Sequence, residues 1–213
     1  MPATVQKLAQ GEESRRRLLH AAAELLGVGG YSGTSVQAIA TRAGCVKSAL
    51  YWHFGSKDGL LFAALEASTG EWVGEVEEAI AVTDEPLARL EGLVAHVRSV
   101  IAERPQGQHM IFSILLERGG EDPQARRAVA RLLGALHEAL GRGLAEAVAL
   151  PTEACKPIAE DVIYLCHGLF LTHLADPDMG RLDRALDRIR SLVVRRMGKA
   201  LKEHGGAGAR GPS

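Results

Sequence analysis

Apolar positions along this chain recur with helical spacing. Leu18, Ala22, Leu25 and Leu26 form the first stripe, at i, i+4, i+7 and i+8, as on one face of an amphipathic helix. The stripe stops at "GVGGY", where Gly29 and Gly30 supply a C-cap and a turn. A second, shorter apolar face, Val36, Ile39 and Ala40, lies in "TSVQAIATRAG". Thr34 and Gln37 fit a capping box at its start, and Gly44 ends it. A third helix is predicted over residues 46 to 53. A fourth opens at Ser56, a good N-cap residue, with Asp58 placed favourably for the helix dipole.

Beyond residue 80 the breaks fall at "TDEP" (83–86), "RP" (104–105), "GGEDP" (119–123), "LPTEACKP" (150–157) and "DPDMG" (176–180). The stretches between them run to roughly 15 to 27 residues, long for strands and ordinary for helices. No alternating runs joined by Asn-Gly or Asp-Gly turns occur, so no sheet is expected. The pattern predicts an all-α fold of about nine helices. Residues 1–10 read as a disordered tail, 11–55 as a helix-turn-helix unit, 56–204 as a larger helical domain, and the Gly-rich 205–213 as a disordered tail.

The length of 213 residues allows one or two domains with a real core. The net charge of −1 gives no argument for nucleic acid, but its distribution does. Residues 1–65 hold seven Lys and Arg against four Asp and Glu, a surplus of three, so the rest of the chain carries a deficit of four. Cys45, Cys155 and Cys166 are sparse, odd in number and without a C-x-x-C pair, against a disulfide framework or structural zinc. No signal peptide and no membrane-length apolar run is read, so a soluble cytoplasmic protein is expected, with no membrane partner and no cofactor.

The candidate chemistry is concentrated in "VKSALYWHFGSKDGL", residues 46 to 60. Leu50 and Phe54, four apart, can turn back onto Leu18, Leu25, Val36 and Ile39. That leaves Lys47, Ser48, Tyr51, Trp52 and His53 on or beside the outer face, with Trp52 readable either as core or as surface. Three short helices in about 40 residues have the size of a helix-turn-helix unit, whose second helix lies in the DNA major groove. Lysine donates to guanine or phosphate, Tyr and His donate to phosphate, and aromatic bodies pack on sugars or a thymine methyl. Lys57 and the amides after Ser56 sit at a helix N-terminus, suited to phosphate.

Residues 30 to 66, and "LYWHFGSKDGLL" most specifically, resemble the DNA-binding domain of the tetracycline-repressor (TetR) family of bacterial transcriptional regulators. The resemblance implies an all-helical homodimer with an N-terminal helix-turn-helix domain and a C-terminal small-molecule pocket. It implies a repressor that leaves a palindromic DNA operator when its effector binds. Carried over residue by residue, Thr34 and Ser35 would contact phosphate. Lys47, Ser48 and Ala49 would approach base edges, and Tyr51, Trp52, His53 and Lys57 would line the backbone. Val46 departs from the family's frequent serine or threonine and weakens the cap of the recognition helix. The resemblance fades after about residue 70.

In the C-terminal two-thirds, "PIAEDVIYLCHGLFLTHLA" is apolar nearly all round and implies burial on both sides. "RLDRALDRIRSLVVRRMGKAL" sets a Leu182, Leu186, Ile189, Val193 stripe against an arginine-rich face. Such a pair suits a two-fold four-helix interface, with one large monomer core as the alternative. Candidate pocket residues are Trp72 and Val76, His109, Phe112, Ser113 and Leu116, and Tyr164 and His167, polar or aromatic groups on apolar faces. The alternative for each histidine is a hydrogen-bonded core residue. Metal sensing is not expected, since Cys166 and His167 point to different faces. Arg118, Arg126 and Arg127 read as solvated. No nucleophile motif, acidic metal cluster or phosphate loop supports a helical enzyme acting on a hydrophobic substrate, and "GVGGYSG" follows a helix, not a strand. A ligand-independent architectural DNA binder is the other alternative.

Overall fold

The computed structural model describes residues 3–81 and 85–205, and these form nine helices and no strand. They are α1 (Ala3–Gly33), α2 (Val36–Arg42), α3 (Lys47–Phe54), α4 (Lys57–Ala81), α5 (Pro86–Ala102), α6 (Gln106–Glu117), α7 (Pro123–Val148), α8 (Thr152–Ala175) and α9 (Met179–Gly205). The all-α expectation holds. None of these helices is long and apolar enough to cross a membrane.

Several boundaries differ from the sequence reading. Helix α1 starts at Ala3, where a tail to residue 10 was expected. No proline interrupts residues 3–33, and the Glu13–Arg16 pair at 2.8 Å supports the helix three residues apart. Its predicted stop is a break at Gly30 (φ 66°, ψ −176°), a backbone region that only glycine adopts easily. Pro157 lies inside α8. Proline removes a single ladder bond there, and its ring is exposed. The expected tail from residue 206 on, and residues 83 and 84 of "TDEP", lie outside the described residues.

The chain divides into two units. The first comprises residues up to 71 and 105–132, and the second 72–104 together with 133 onward. The chain therefore passes from one to the other three times: within α4, between α5 and α6, and within α7.

In the first unit α1 is the central element, with α2, α3 and α6 packed on it. Leu18, Leu26, Ile39, Leu50, Leu60, Leu61, Leu65, Met110 and Ile114 are each less than 2% exposed. Burying a side chain of this size stabilises by about 1.5–3 kcal/mol. The seam between α1 and α6 is unusually close. A Cβ at Gly27 would stand 2.7 Å from both the Cβ and the carbonyl oxygen of Gln106, so glycine is required there.

The second unit has its own core of Ile80, Leu90, Leu93, Leu140, Leu144, Ile158, Val162, Val193 and Met197, with Val76 and Ile189 packed against it. Helices α5, α8 and α9 touch one another there. Leu182, Leu186 and Val193 are buried, so the apolar stripe of α9, read as a subunit interface, faces the chain's own interior. On helix α8 part of the apolar surface expected to be buried is open within the single chain. Tyr164, Leu165, Leu171 and Leu174 are 40–63% exposed, leaving an apolar face uncovered by the chain's own residues.

Candidate nucleic-acid interface

Helices α2 and α3 are joined by a turn whose geometry depends on Gly44 (φ 61°). The Gly44 amide donates to the Thr41 carbonyl at 3.1 Å, and the Cys45 amide to the Ala40 carbonyl at 2.9 Å. At the end of α2, Arg42 grips Glu24 of α1 with two 2.9 Å hydrogen bonds. This contact raises the guanidinium's pKa and holds the Glu24 carboxyl below its usual range.

Ser35 caps α2: its hydroxyl accepts the Ala38 amide at 3.0 Å. The capping box read at Thr34 is therefore one residue early. Thr34 is 4% exposed, and its hydroxyl donates to the Leu25 carbonyl at 3.0 Å. A buried, spent hydroxyl cannot hold a phosphate, which corrects the assignment of Thr34 as a contact.

Helix α3 turns on one residue. Leu50 is fully buried, while Lys47, Ser48, Tyr51 and Trp52 are exposed and Ala49, His53 and Phe54 are half-buried. Trp52, left open between core and surface, is 77% exposed. Its ring meets His53 edge-on at 4.5 Å. Val46 caps α3 without a side-chain hydrogen bond, as its missing hydroxyl requires. An outward row of lysine, serine, tyrosine and tryptophan on a short helix supplies donors for phosphate and base edges and flat apolar area for sugars.

Ser56 caps the next helix, its hydroxyl accepting the Gly59 amide at 2.9 Å. Lys57 departs from expectation. It is half-buried, its ammonium donates to the Tyr31 carbonyl at 2.5 Å, and it lies 3.9 Å from the Tyr31 ring centroid. Burial pushes its pKa down, against the pull of Asp58. This lysine is turned inward to Tyr31. Arg118, read as solvated, is half-buried and pairs with Asp58 at 3.1 Å.

Two arginines that the sequence reading did not assign belong to this surface. Arg15 lies 5.6 Å from the Phe54 ring, and the Arg17 guanidinium flanks the Gly44 turn, with Nη1 3.6 Å from where a Cβ at Gly44 would be. Both are exposed on α1. The run "RRR" at 15–17 was the available signal; only the fold shows which two approach α3 and its turn.

The expected pocket residues do not fall in one unit. His109, Phe112, Ser113 and Leu116 belong to the first, and Trp72, Val76, Tyr164 and His167 to the second. His109 Nδ1 is 3.1 Å from the Gly27 carbonyl oxygen, Ser113 donates to the Met110 carbonyl at 3.1 Å, and Leu116 is 81% exposed. Val76 packs on the second unit's core, and Tyr164 meets His137 edge-on at 5.9 Å. His167 has its pKa lowered by burial and then by His137. A groove of about 510 Å³ in the second unit is lined by other residues, among them Pro157, Ile158, Leu192, Arg195 and Lys199.

Residues 18–64 match the family profile described as bacterial regulatory proteins, tetR family. Over 101 residues the chain is 36% identical to the HTH-type transcriptional activator FasR of Mycolicibacterium smegmatis, covering 47% of this chain and 46% of that protein. Over 91 residues it is 33% identical to the HTH-type transcriptional regulator AcrR of Shigella flexneri, covering 41% of each. The chain thus spans about half the length of these curated relatives, or less. Among solved structures, a TetR transcriptional regulator from Chloroflexus aurantiacus is similar with a TM-score of 0.73 at 23% identity, covering 87% of this chain and 96% of the other. A TetR-family regulator from Cytophaga hutchinsonii gives 0.71 at 16%, covering 87% and 95%. At these identities the likeness is one of fold.

Proposed function

We propose that this chain, whose residues 18–64 match the profile described as bacterial regulatory proteins, tetR family, is a TetR-family cytoplasmic repressor and not an enzyme, that it binds a palindromic operator as a dimer, and that it leaves the operator when a small, largely apolar molecule binds. The observation that carries this reading is α3: one fully buried leucine, and an outer face of Lys47, Ser48, Tyr51 and Trp52. In this reading Lys47, Ser48 and Ala49 approach base edges. Ser35, Tyr51, Trp52 and His53 hold the backbone, joined by Arg15 and Arg17.

The dimer is supported by the open face of α8. Tyr164 and Leu171 are seven residues apart, on one side of the helix, and Leu165 and Leu174 widen the apolar patch. Two copies related by a two-fold axis would each cover the other's patch. Effector response is supported by α4, which starts in the reader and continues into the second unit. A molecule binding beside Trp72 and preferring one setting of that helix must, by reciprocity, be bound less tightly when operator is present. A coupling of ~1–3 kcal/mol would release DNA about 5- to 150-fold.

Selection of bound duplexes from random DNA by the full-length protein tests the reading. The expected product is a palindrome whose half-sites are about one helical turn, ~34–36 Å, apart. Selection of a single unrepeated site would remove the two-fold dimer, and recovery of no duplex would remove the operator claim. A thermal-shift screen of small apolar compounds then separates an effector-responsive protein from a ligand-independent DNA binder.

A further inference from the structure

Helix α3 has eight residues and one fully buried side chain, Leu50. A single apolar anchor fixes where a short helix sits but leaves its rotation weakly specified, and rotation decides which side chains enter a groove. A second constraint is needed, and α6 supplies one within the same unit.

Helix α6 is seated on α1 where Gly27 admits Gln106, and its last residue, Glu117, and the Arg118 that follows it converge on a single residue, Tyr31. The break at Gly30 deprives the following amides of their helical acceptors. Glu117 replaces both: Oε1 accepts the Tyr31 amide at 3.1 Å and Oε2 the Ser32 amide at 2.8 Å. Tyr31, so fixed, passes the constraint on. Its phenol donates to Asp58 Oδ1 at 2.6 Å, and its carbonyl accepts from the Lys57 ammonium. Arg118 donates to the other oxygen of Asp58 at 3.1 Å, and its guanidinium lies 4.9 Å from the Tyr31 ring centroid. Asp122 holds Arg118 from behind at 3.4 Å. Lys57 and Asp58 are the first two residues of α4, and only Gly55 and Ser56 separate them from α3.

We propose that Glu117 and Arg118 are positioning residues for DNA reading: through Tyr31 they clamp the first turn of α4 and so fix the rotation of α3, without touching DNA themselves. Both Glu117 carboxylate oxygens and the Arg118 Nη2 are engaged by partners within the protein. They lie more than 50 residues along the chain from the segment that carries the reader, at the end of a helix that the chain enters directly from the other unit. Part of the reader's frame therefore lies outside its contiguous sequence. This inference rests on α3 reading DNA and on neither the dimer nor the effector.

The test uses the full-length protein carrying Trp72→Phe, which leaves Trp52 of α3 as the sole tryptophan. The probe is the duplex enriched by the wild-type protein. Glu117→Ala should weaken binding about two- to thirtyfold, in the range of substitutions that act at a distance. The slope of log affinity against log salt should stay unchanged, since no phosphate contact is removed. Without DNA, the fluorescence anisotropy of Trp52 should decay faster and further in Glu117→Ala. Glu117→Gln, which keeps an acceptor oxygen, should recover most of both effects. Wild-type affinity in Glu117→Ala would overturn the proposal. So would weakened binding with an unchanged Trp52 decay and a collapsed thermal melt, because the residue would then be purely structural. A wild type that enriches no duplex would count against the operator, and Trp52 decay, measured without DNA, would still decide whether the clamp exists.

Discussion

Helices α3 and α9 both carry cations on an outer face, and they dispose of them differently. On α9, Arg181 pairs with Asp176 at 2.7 Å, Arg190 with Asp187 at 3.2 Å, and Arg196 with Asp161 at 2.7 Å. Around α3, no carboxylate among the described residues pairs with Lys47, Arg15 or Arg17. Pairing alone does not separate the two helices, because Arg188 and Arg195 of α9 also lack such a partner among the described residues. The apolar residues complete the distinction. Helix α9 buries Leu182, Leu186, Val193 and Met197, whereas α3 buries Leu50 and exposes Tyr51 and Trp52. A charged face backed by a full apolar stripe is the solvated side of a core helix. A charged face that also exposes aromatics is a surface built to be covered.

The sharpest way to break this comparison is to put a charge on each kind of apolar position. Leu186→Glu places an unpaired carboxylate at a site 3% exposed. That should cost several kcal/mol and unfold the second unit, read as loss of its melting transition. Leu171→Arg alters a residue 47% exposed. It should leave the melt of the monomer nearly intact and shift the sedimentation profile of the proposed dimer to monomer. If Leu186→Glu yielded a folded monomer instead, α9 would be an interface helix after all.

Next in size come the cations themselves. Lys47→Ala should weaken binding to the selected duplex and relax preference at one base pair by about 1–3 kcal/mol. Arg190→Ala, which removes an already paired charge on α9, should leave affinity and salt dependence unchanged. Measured side by side on a panel of operator variants, equal effects from the two substitutions would erase the distinction between the helices.

The same contrast explains what was legible in the sequence. The Leu50 register and the Ser56 cap are readable because each depends on neighbours within four residues, whereas the weak Val46 cap is read from the family resemblance. Thr34 and Ser35 were confused because both are good capping residues and local spacing alone cannot choose between them. The choice is made by the Leu25 carbonyl, nine residues back, which takes the Thr34 hydroxyl. Thr34→Val should therefore lower the melting temperature by the loss of one buried hydrogen bond, about 0.5–1.5 kcal/mol, with the salt slope of DNA binding unchanged. Lys57 was misread for a longer-range reason, since its partner Tyr31 is 26 residues away. Arg118 was misread as solvated because Asp58 is 60 residues away. The pocket was least legible. A half-buried histidine on an apolar face looks the same in sequence whether it lines a ligand site or, like His109, meets a backbone carbonyl in its own unit.

The smallest expected effect tests whether the clamp on Tyr31 works through charge. The Glu117 carboxyl is held below its ordinary value of 4.5, first by the hydrogen bonding of Ser32, then by the Tyr31 amide and the Lys57 charge, with burial opposing. A carboxyl lowered on folding contributes stability that is fully present above its unfolded value and is lost as pH falls through the folded one. Glu117 is exposed, so solvent screening keeps the contribution small. Asp122 is lowered by its own contacts with the Gln124 and Ala125 amides and Arg118, so acid melts of the wild type alone would mix the two groups. The difference between wild type and Glu117→Gln isolates one of them, since glutamine does not titrate. The wild type should melt slightly higher from pH 7 down to about pH 5, and the gap should close as pH drops below 4.5. A gap that persisted unchanged to pH 3 would mean that the shape of the Glu117 side chain, and not its charge, holds Tyr31 beside α4.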